Sequence, residues 1–176
     1  ICDWLREFDG YITDPATGNK RIPWDLLPSY WTAESDYYDN KKWLKTPLMQ
    51  SGNVEEKYKA VCGGIDEITK KHGYVRNGNI YKVERESRET VALFCHFGVE
   101  CVILSHLLGI SPVVLWHNFC ALPSSVTTLV TEEREQGKAA FRMCGFGDLS
   151  HLYAGDEEPS FQARFCETYS NFEERH

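Results

Sequence analysis

The stretch TVALFCHFGVECVILSHLLG, residues 90–109, decides the predicted fold. Its first six residues, 90–95, form a continuous apolar run. Such a run is typical of a strand that is buried on both faces in a parallel sheet. Apolar residues then recur at helical spacing up to Gly109, which is the predicted end of a helix. A buried strand followed directly by a helix predicts an α/β protein, with His96 at the junction.

The junction itself is a candidate binding site. In open α/β sheets, ligands bind outside the carboxyl ends of the strands. The helix that follows His96 offers the free N–H groups of Phe97, Gly98 and Val99 and the positive end of its dipole, which together favour an anion. Gly98 lets the backbone approach a ligand closely. His96 can bond a phosphate or stabilise charge in a transition state, or it can simply cap the helix.

Composition limits the class of protein. A chain of 176 residues suits a single domain, residues 1–176. Lys and Arg number 19 against 26 Asp and Glu, a net charge of −7, which disfavours a nucleic-acid partner. Residues 101–131 contain no Asp, Glu, Lys or Arg, but Gly109, Ser111 and Pro112 interrupt them. We therefore expect two short helices and a strand there, and no membrane span.

The cysteines and the first residue bear on the protein's context. The seven cysteines are an odd number, and they are scattered along the chain, most of them in apolar surroundings. This pattern predicts buried thiols in a reducing compartment, and hence a cytoplasmic protein. The chain begins with Ile1 rather than Met. We therefore expect that an upstream segment is missing from this sequence.

The remaining elements follow from periodicity and turn residues. The spacing of apolar residues predicts an amphipathic helix over 53–72, with Asn53 and Glu56 as a capping box. Asn77-Gly78 is a hairpin signal. Further predictions are a short helix from Pro112 to about 119, strands at 126–130 and 139–144, and an acidic surface tail or helix at 154–176.

Residues 11–50 form a long segment with few regular patterns. It holds four of the seven prolines and three of the five tryptophans. Long ordered loops are often lids or binding loops, so a lid-like insertion is one prediction. Packing on the core, or a contact in a homodimer, is the other. The cations of this segment are candidates for touching an anionic substrate, although solvated charge is the usual role of such residues: Lys20, Arg21, Lys41 and Lys42.

The stretch around His96 resembles the second-histidine motif of the histidine phosphatase superfamily, the phosphoglycerate mutase-like proteins. In that family an apolar strand leads to His-Gly-Gly or a variant and then to an apolar helix; in this chain Phe97 departs from the pattern. The later SSVTTLV and GDLSHL resemble the strand and the closing segment that follow. WLREFDGY at residues 4–11 resembles the family's Leu-x-Glu motif, with Glu7 at the glutamate position. The resemblance covers roughly residues 1–153.

The resemblance implies a three-layer α/β sandwich with a mostly parallel central sheet, whose first strand is missing from this chain. It implies phosphomonoester hydrolysis or phosphoryl transfer through a phosphohistidine. The nucleophilic histidine belongs to an Arg-His-Gly motif that would lie upstream of residue 1. His96 and arginines would hold the phosphoryl oxygens, and Glu7 would protonate the leaving oxygen. The expected substrate is a small phosphorylated metabolite, with no cofactor and no metal, because histidines and arginines supply the charge.

Alternatives remain open. One is a catalytically inactive binding or scaffold protein with the same fold. Another is a zinc module, since four residues have suitable side chains and spacing: Cys101, His106, His117 and Cys120. Lys71-His72-Gly73 imitates the nucleophile motif, but it ends a predicted helix rather than following a central strand. We therefore do not expect His72 to be a nucleophile.

Overall fold

The computed structural model describes residues 2–160, 168–171 and 173. Within them the chain is a mixed α/β protein with six α-helices and two antiparallel sheets. The helices are α1 (Pro28–Trp31), α2 (Pro47–Gln50), α3 (Val54–Lys71), α4 (Phe97–Leu108), α5 (Pro112–Asn118) and α6 (Ser150–Ala154). The strands are β1 (Ile12–Thr13), β2 (Lys20–Arg21), β3 (Tyr74–Asn77), β4 (Ile80–Val83), β5 (Val126–Glu135) and β6 (Lys138–Asp148). Three short 3₁₀ helices complete the described elements: Asp3–Leu5, Ser35–Tyr38 and Trp43–Lys45.

The strands form one small and one larger sheet. β1 pairs with β2, and the larger sheet has the order β3-β4-β6-β5. The predicted hairpin between β3 and β4 is confirmed, but its turn lies one residue later than expected. Asn77 pairs with Ile80, so the two-residue loop is Gly78 and Asn79, and Gly78 has a φ of 63°. That left-handed backbone is why a glycine stands there.

The predicted buried strand at residues 90–95 is absent. These residues belong to no strand and form no backbone hydrogen bond with the described chain. The Phe94 side chain is 90% exposed and that of Val91 is 44% exposed. A strand buried on both faces needs neighbouring strands, and no described strand lies beside this run. A mostly parallel central sheet is likewise not seen among the described residues, whose paired strands run antiparallel.

α3 matches the helix predicted over 53–72 closely. The predicted capping box does not form, because the side-chain oxygen of Asn53 accepts the N–H of Tyr11 at 2.9 Å instead of capping the helix. Gly64 lies inside α3, where glycine weakens a helix. A Cβ on Gly64 would lie 2.3 Å from the Trp4 indole, so this glycine lets the N-terminal residues pack against α3.

The core lies around α3, α4 and α5. Most side chains of α4 are buried, and α4 packs on both α3 and α5. Trp43 and Trp116 are fully buried and meet edge to face, with ring centroids 5.7 Å apart. Trp43, Ile12, Tyr37 and Met49 all belong to residues 11–50 and are all buried. The irregular segment is therefore packed against the helices through its aromatic and aliphatic side chains.

The chain divides into two compact units. One comprises Ile1–Phe119 and Thr131–Phe141, and the other Cys120–Val130 and Arg142–His176. In the second unit, the N–H of Gly147 donates to Thr127 Oγ1 at 3.2 Å. Much of the predicted acidic tail or helix at 154–176 lies outside the described residues.

Two further predictions concern membranes and cysteines. No helix among the described residues is long and apolar enough to cross a membrane. All six described cysteines are free, but only Cys62 and Cys101 are buried. The prediction of buried thiols is therefore wrong for the other four, Cys2, Cys95, Cys120 and Cys144, which are exposed. Cys95 lies just before α4 and Cys120 just after α5, and neither belongs to the buried helix. Their apolar neighbours in the sequence therefore predicted a burial that the structure does not show.

Candidate functional site

The carboxylate of Glu7 lies at the N-terminus of α4. Its Oε1 accepts the N–H of Val99 at 3.1 Å and that of Phe8 at 2.6 Å, and its Oε2 accepts the N–H of Gly98 at 3.4 Å. Glu7 and the His96 stretch were identified from two separate motifs. The fold brings the two motifs together, although 91 positions separate Glu7 from Gly98.

Gly98 makes this contact sterically feasible. A Cβ at this position would lie 2.6 Å from Glu7 Oε1 and 2.9 Å from the indole nitrogen of Trp24. The Trp24 indole N–H donates to the carbonyl of Phe8 at 3.1 Å, and the Trp116 indole N–H donates to the carbonyl of Gly98 at 3.0 Å. The two tryptophans thus fix the backbone on both sides of the carboxylate. Sequence reasoning missed both of them; the close approach expected at Gly98 was the signal that could have found them.

His96 is the residue that precedes α4. Its backbone is extended, with φ of −121° and ψ of 165°, and its carbonyl accepts the N–H of Glu100 at 2.9 Å, which begins the helix. The imidazole is exposed and forms no hydrogen bond with the described residues. It does not cap the helix. Both ring nitrogens are therefore available to a ligand, while Phe97 beside it is half-buried.

The electrostatics of the site follow from the helix end. α4 has 12 residues, and its positive N-terminal end attracts negative charge. A carboxylate in this position typically stabilises a helix by about 0.3–1 kcal/mol. Two of the three N–H groups expected to bind a phosphate, those of Gly98 and Val99, are already bonded to Glu7. The anion found at the predicted anion site is thus a side chain of the protein itself.

The thiol next to His96 is not a strong nucleophile at neutral pH. Partial desolvation raises the pKa of Cys95 to about 11, with the negative charges of Glu100 and Glu7 adding to the effect. Only the thiolate attacks efficiently. His96 and Glu7 are therefore the side chains at this helix end that the geometry offers to a charged ligand.

Three of the cations of residues 11–50 have side-chain partners within that segment: Lys20, Arg21 and Lys42, the last of which lies 3.6 Å from Asp36. The Lys20 ammonium lies 4.0 Å from the centre of the Tyr11 ring. Arg21 donates to the backbone carbonyl of Asp25 at 2.9 Å and lies 3.5 Å from the Asp14 carboxylate. These contacts stabilise the segment itself. They supply no arginine to the N-terminus of α4.

The other histidines considered from the sequence have structural partners. His72 ends α3, as expected, and its Nδ1 lies 2.7 Å from Glu89 Oε2. His106 Nε2 lies 2.9 Å from Asp66 Oδ1. Among the residues that the structure describes, no group of three or more His, Cys, Asp or Glu side chains could hold a metal ion. The residues of the zinc alternative are therefore not brought together.

His117 joins the irregular segment to α5. Its Nδ1 lies 2.8 Å from the Val113 carbonyl and its Nε2 lies 3.1 Å from the backbone nitrogen of Leu26. Because Leu26 N–H must donate, Nε2 is the acceptor and Nδ1 carries the proton. Trp31 stacks on the imidazole, with ring centroids 5.3 Å apart. Burial lowers the pKa of His117, so the neutral ring that this geometry needs is also the favoured one.

Comparison with known proteins gives no independent assignment. The chain matches no family model, no curated protein and no solved structure. The chemistry of the site therefore rests on its own residues. The observations that carry it are the contact of Glu7 with the N-terminus of α4 and the imidazole of His96, which has no hydrogen-bond partner among the described residues.

Proposed function

We propose that His96, Glu7 and the N-terminus of α4 form the phosphate-binding end of a phosphomonoester site. The supporting observation is that Glu7 contacts the backbone N–H groups of Gly98 and Val99, two and three residues after an unpartnered histidine. Helix N-termini bind phosphates through such N–H groups. In this proposal the chain is a histidine phosphatase-like protein, and the mostly parallel three-layer sheet of that family is part of the hypothesis.

The proposed reaction has two steps. The histidine of an upstream Arg-His-Gly motif, which the resemblance implies, attacks phosphorus; an N–P bond forms and the ester P–O bond breaks. Glu7 gives its carboxyl proton to the departing alkoxide, which otherwise leaves poorly. In the second step the Glu7 carboxylate takes a proton from water as the water oxygen attacks phosphorus; the N–P bond breaks, phosphate is released, and the neutral histidine and the Glu7 carboxyl are restored. His96 binds the phosphoryl oxygens throughout and, when protonated, adds positive charge.

Glu7 must change partners during this reaction. In the structure its oxygens accept N–H groups of α4, and the same N–H groups are the donors that a phosphate needs. We propose that the phosphate displaces the carboxylate from Gly98 and Val99. The displaced carboxylate takes up a proton from solvent and then faces the leaving oxygen as a carboxyl group. The N–H of Phe8, which also donates to Glu7, keeps the side chain near the site.

The experiment that tests the proposal is turnover of p-nitrophenyl phosphate by the full-length protein and three variants. H96A removes the imidazole. E7Q keeps an oxygen that can accept the same N–H groups but has no acidic proton. We expect each to lower kcat/KM by roughly 100-fold or more. E158Q, an exposed glutamate of the second unit, is the matched control and should keep the wild-type rate. Near-normal rates for both H96A and E7Q would overturn the proposal.

One observation favours a second function, that of a catalytically inactive binding or scaffold protein. The anion-binding N–H groups of α4 are already satisfied by Glu7, so the folded chain needs no phosphate there. In this case the full-length protein would bind inorganic phosphate or vanadate without turning over an aryl phosphate. E7A would then raise the affinity for phosphate, because it frees two donors. Turnover in the wild type excludes this function.

The remaining parts of the proposal concern context. We propose a small phosphorylated metabolite as the substrate and the cytoplasm as the location. The six described cysteines are all free, as in a reducing compartment. Residues 11–50 contribute Trp24 to the site through its contacts with Phe8 and Gly98. A homodimer contact through the outer surface of this segment remains part of the hypothesis, testable by light scattering.

A further inference from the structure

A separate cavity, widely open to solvent, lies within residues 11–51 of the first unit, and most of its lining residues are exposed. It has a volume of about 440 Å³, in the range of small-molecule sites. Its walls are formed by proline, tyrosine and aliphatic side chains from the turn after β1, from α1 and the 3₁₀ helix after it, and from α2. These are Pro15, Tyr30, Ala33, Tyr37, Pro47 and Leu48. Such a lining favours a hydrocarbon body in the cavity.

One wall is held in place by hydrogen bonds. Thr13 N–H donates to Ser51 Oγ at 2.8 Å, Thr13 Oγ1 donates to the Ser51 carbonyl at 2.8 Å, and Ser51 Oγ donates to the Leu48 carbonyl at 2.6 Å. The lining also includes Tyr37, which is buried and whose carbonyl accepts the Ser111 hydroxyl. These hydrogen bonds hold part of the backbone around the cavity in place.

The polar groups on the α1 side are uncommitted. The hydroxyls of Ser29 and Tyr30 line the cavity and form no hydrogen bond with the described residues. Glu34 is the one charged side chain in the described lining, and its carboxylate has no ion-pair partner in the described chain. No described lysine, arginine or histidine lines the cavity. A negative charge in the same cavity as the half-buried Tyr30 ring is complementary to an organic cation.

We propose that this cavity binds a small organic ammonium ion with an aromatic or aliphatic body. The ammonium group would pair with Glu34 and lie against the Tyr30 ring, and the body would fill the space between Pro15 and Leu48. A phosphate or carboxylate ligand would meet only the negative charge of Glu34. The cavity shares no lining residue with Glu7 and His96, so the inference does not depend on the proposed phosphate chemistry.

Three probes of the same body and different charge test the proposal. Phenethylamine, 2-phenylethanol and 3-phenylpropionate are titrated separately into the wild-type chain at neutral pH, and binding is measured by ligand-observed NMR. We expect phenethylamine to bind most tightly, by roughly three- to tenfold over the alcohol, and the carboxylate to bind least. Equal binding of all three, or no binding of phenethylamine at millimolar concentration, would overturn the proposal.

Two variants locate the effect. E34Q should reduce phenethylamine binding to the level of the alcohol, whereas E86Q should not, although it removes the same charge from another exposed position. A33L places a larger side chain in the cavity and should weaken both the amine and the alcohol. Circular dichroism checks that each variant is folded. Unchanged phenethylamine binding in folded E34Q, or in folded A33L, would contradict the assigned site.

Discussion

Two neighbouring stretches, residues 90–95 and α4, are both largely apolar in sequence but lie in opposite surroundings. α4 is buried along most of its length, and Glu7 accepts the N–H groups of its second and third residues. Residues 90–95, immediately before it, form no backbone hydrogen bond with the described chain and expose Phe94 almost fully. A helix satisfies most of its backbone locally, whereas a strand depends on neighbours that are distant in sequence. The helix α4 is therefore specified by residues that are close in the chain, whereas a strand at 90–95 would need partner strands that the described residues do not provide.

The largest effect on stability should come from a substitution in α4. Leu104 is 1% exposed in the middle of α4, so L104A leaves a cavity between α4 and its neighbours. We expect a loss of about 3 kcal/mol in the free energy of unfolding, measured by urea denaturation. A loss below about 1 kcal/mol would mean that α4 is packed less tightly than its burial indicates.

G98A tests the packing where residues 90–95 lead into α4. The new Cβ would meet Glu7 and Trp24 at less than 3 Å, so one of them must move. We expect a loss of about 1–3 kcal/mol in the free energy of unfolding. The double variant E7A/G98A should lose less than the sum of the two single losses, because removing the carboxylate relieves part of the clash. If the double variant instead lost the sum of the two single losses, Glu7 and Gly98 would not be in contact.

The pH dependence of the free energy of unfolding should report on the helices as well, through His117 in α5. Burial lowers the pKa of His117 in the folded protein, whereas the unfolded chain has the ordinary value of about 6.5. The stability that the neutral ring contributes is therefore fully present above about pH 6.5. It falls as the pH falls below that value, because the unfolded state takes up the proton first. Below the folded pKa, this group causes no further loss.

H117Q isolates this effect. Glutamine can donate to the Val113 carbonyl and accept from Leu26 N–H without titrating. We expect a smaller loss of stability between pH 7 and pH 5 than in the wild type, measured by thermal unfolding. A residual loss should remain, because burial also lowers the pKa of His106. An identical pH profile in H117Q would show that His117 does not contribute.

The smallest effect on stability should come from a substitution in residues 90–95. F94S removes a large apolar side chain that is 90% exposed, so it should change the free energy of unfolding by at most about 0.5 kcal/mol. The measurement is the same urea titration as for L104A. A loss of about 2 kcal/mol or more would mean that Phe94 is buried in the protein in solution, against a surface that the described residues do not include.

Local sequence patterns predicted much of the helical structure. The bounds of α3 and α5 and the end of α4 at Gly109 follow from apolar spacing, from Pro112 and from the left-handed φ of 71° at Gly109. The hairpin between β3 and β4 follows from its turn residues, apart from a shift of one position. These features depend on residues that are close in the chain.

The features that depend on distant residues were harder to predict. The run 90–95 predicts a buried strand only if neighbouring strands lie beside it, and the described chain provides none. Glu7 and His96 were assigned to one site from a resemblance rather than from spacing, and their roles stay predictions. That its carboxylate would bond the N–H groups of α4 was not predicted, nor were the contacts of Trp24 and Trp116. Such contacts are set by tertiary packing, which a single sequence does not reveal.

The exposed segment before α4 also determines where the folded chain is open to proteases. A protease binds its substrate as an unpaired, extended strand, and residues 90–95 offer a backbone that is free of hydrogen bonds to the described chain. Chymotrypsin should therefore cut first after Phe94, whose side chain is 90% exposed. The cut would separate Glu7 from α4 in the covalent chain. Noncovalent contacts would then hold the two fragments together, among them the packing of α3 on α4, the pairing of β4 with β6 and the Glu7 carboxylate at the helix end.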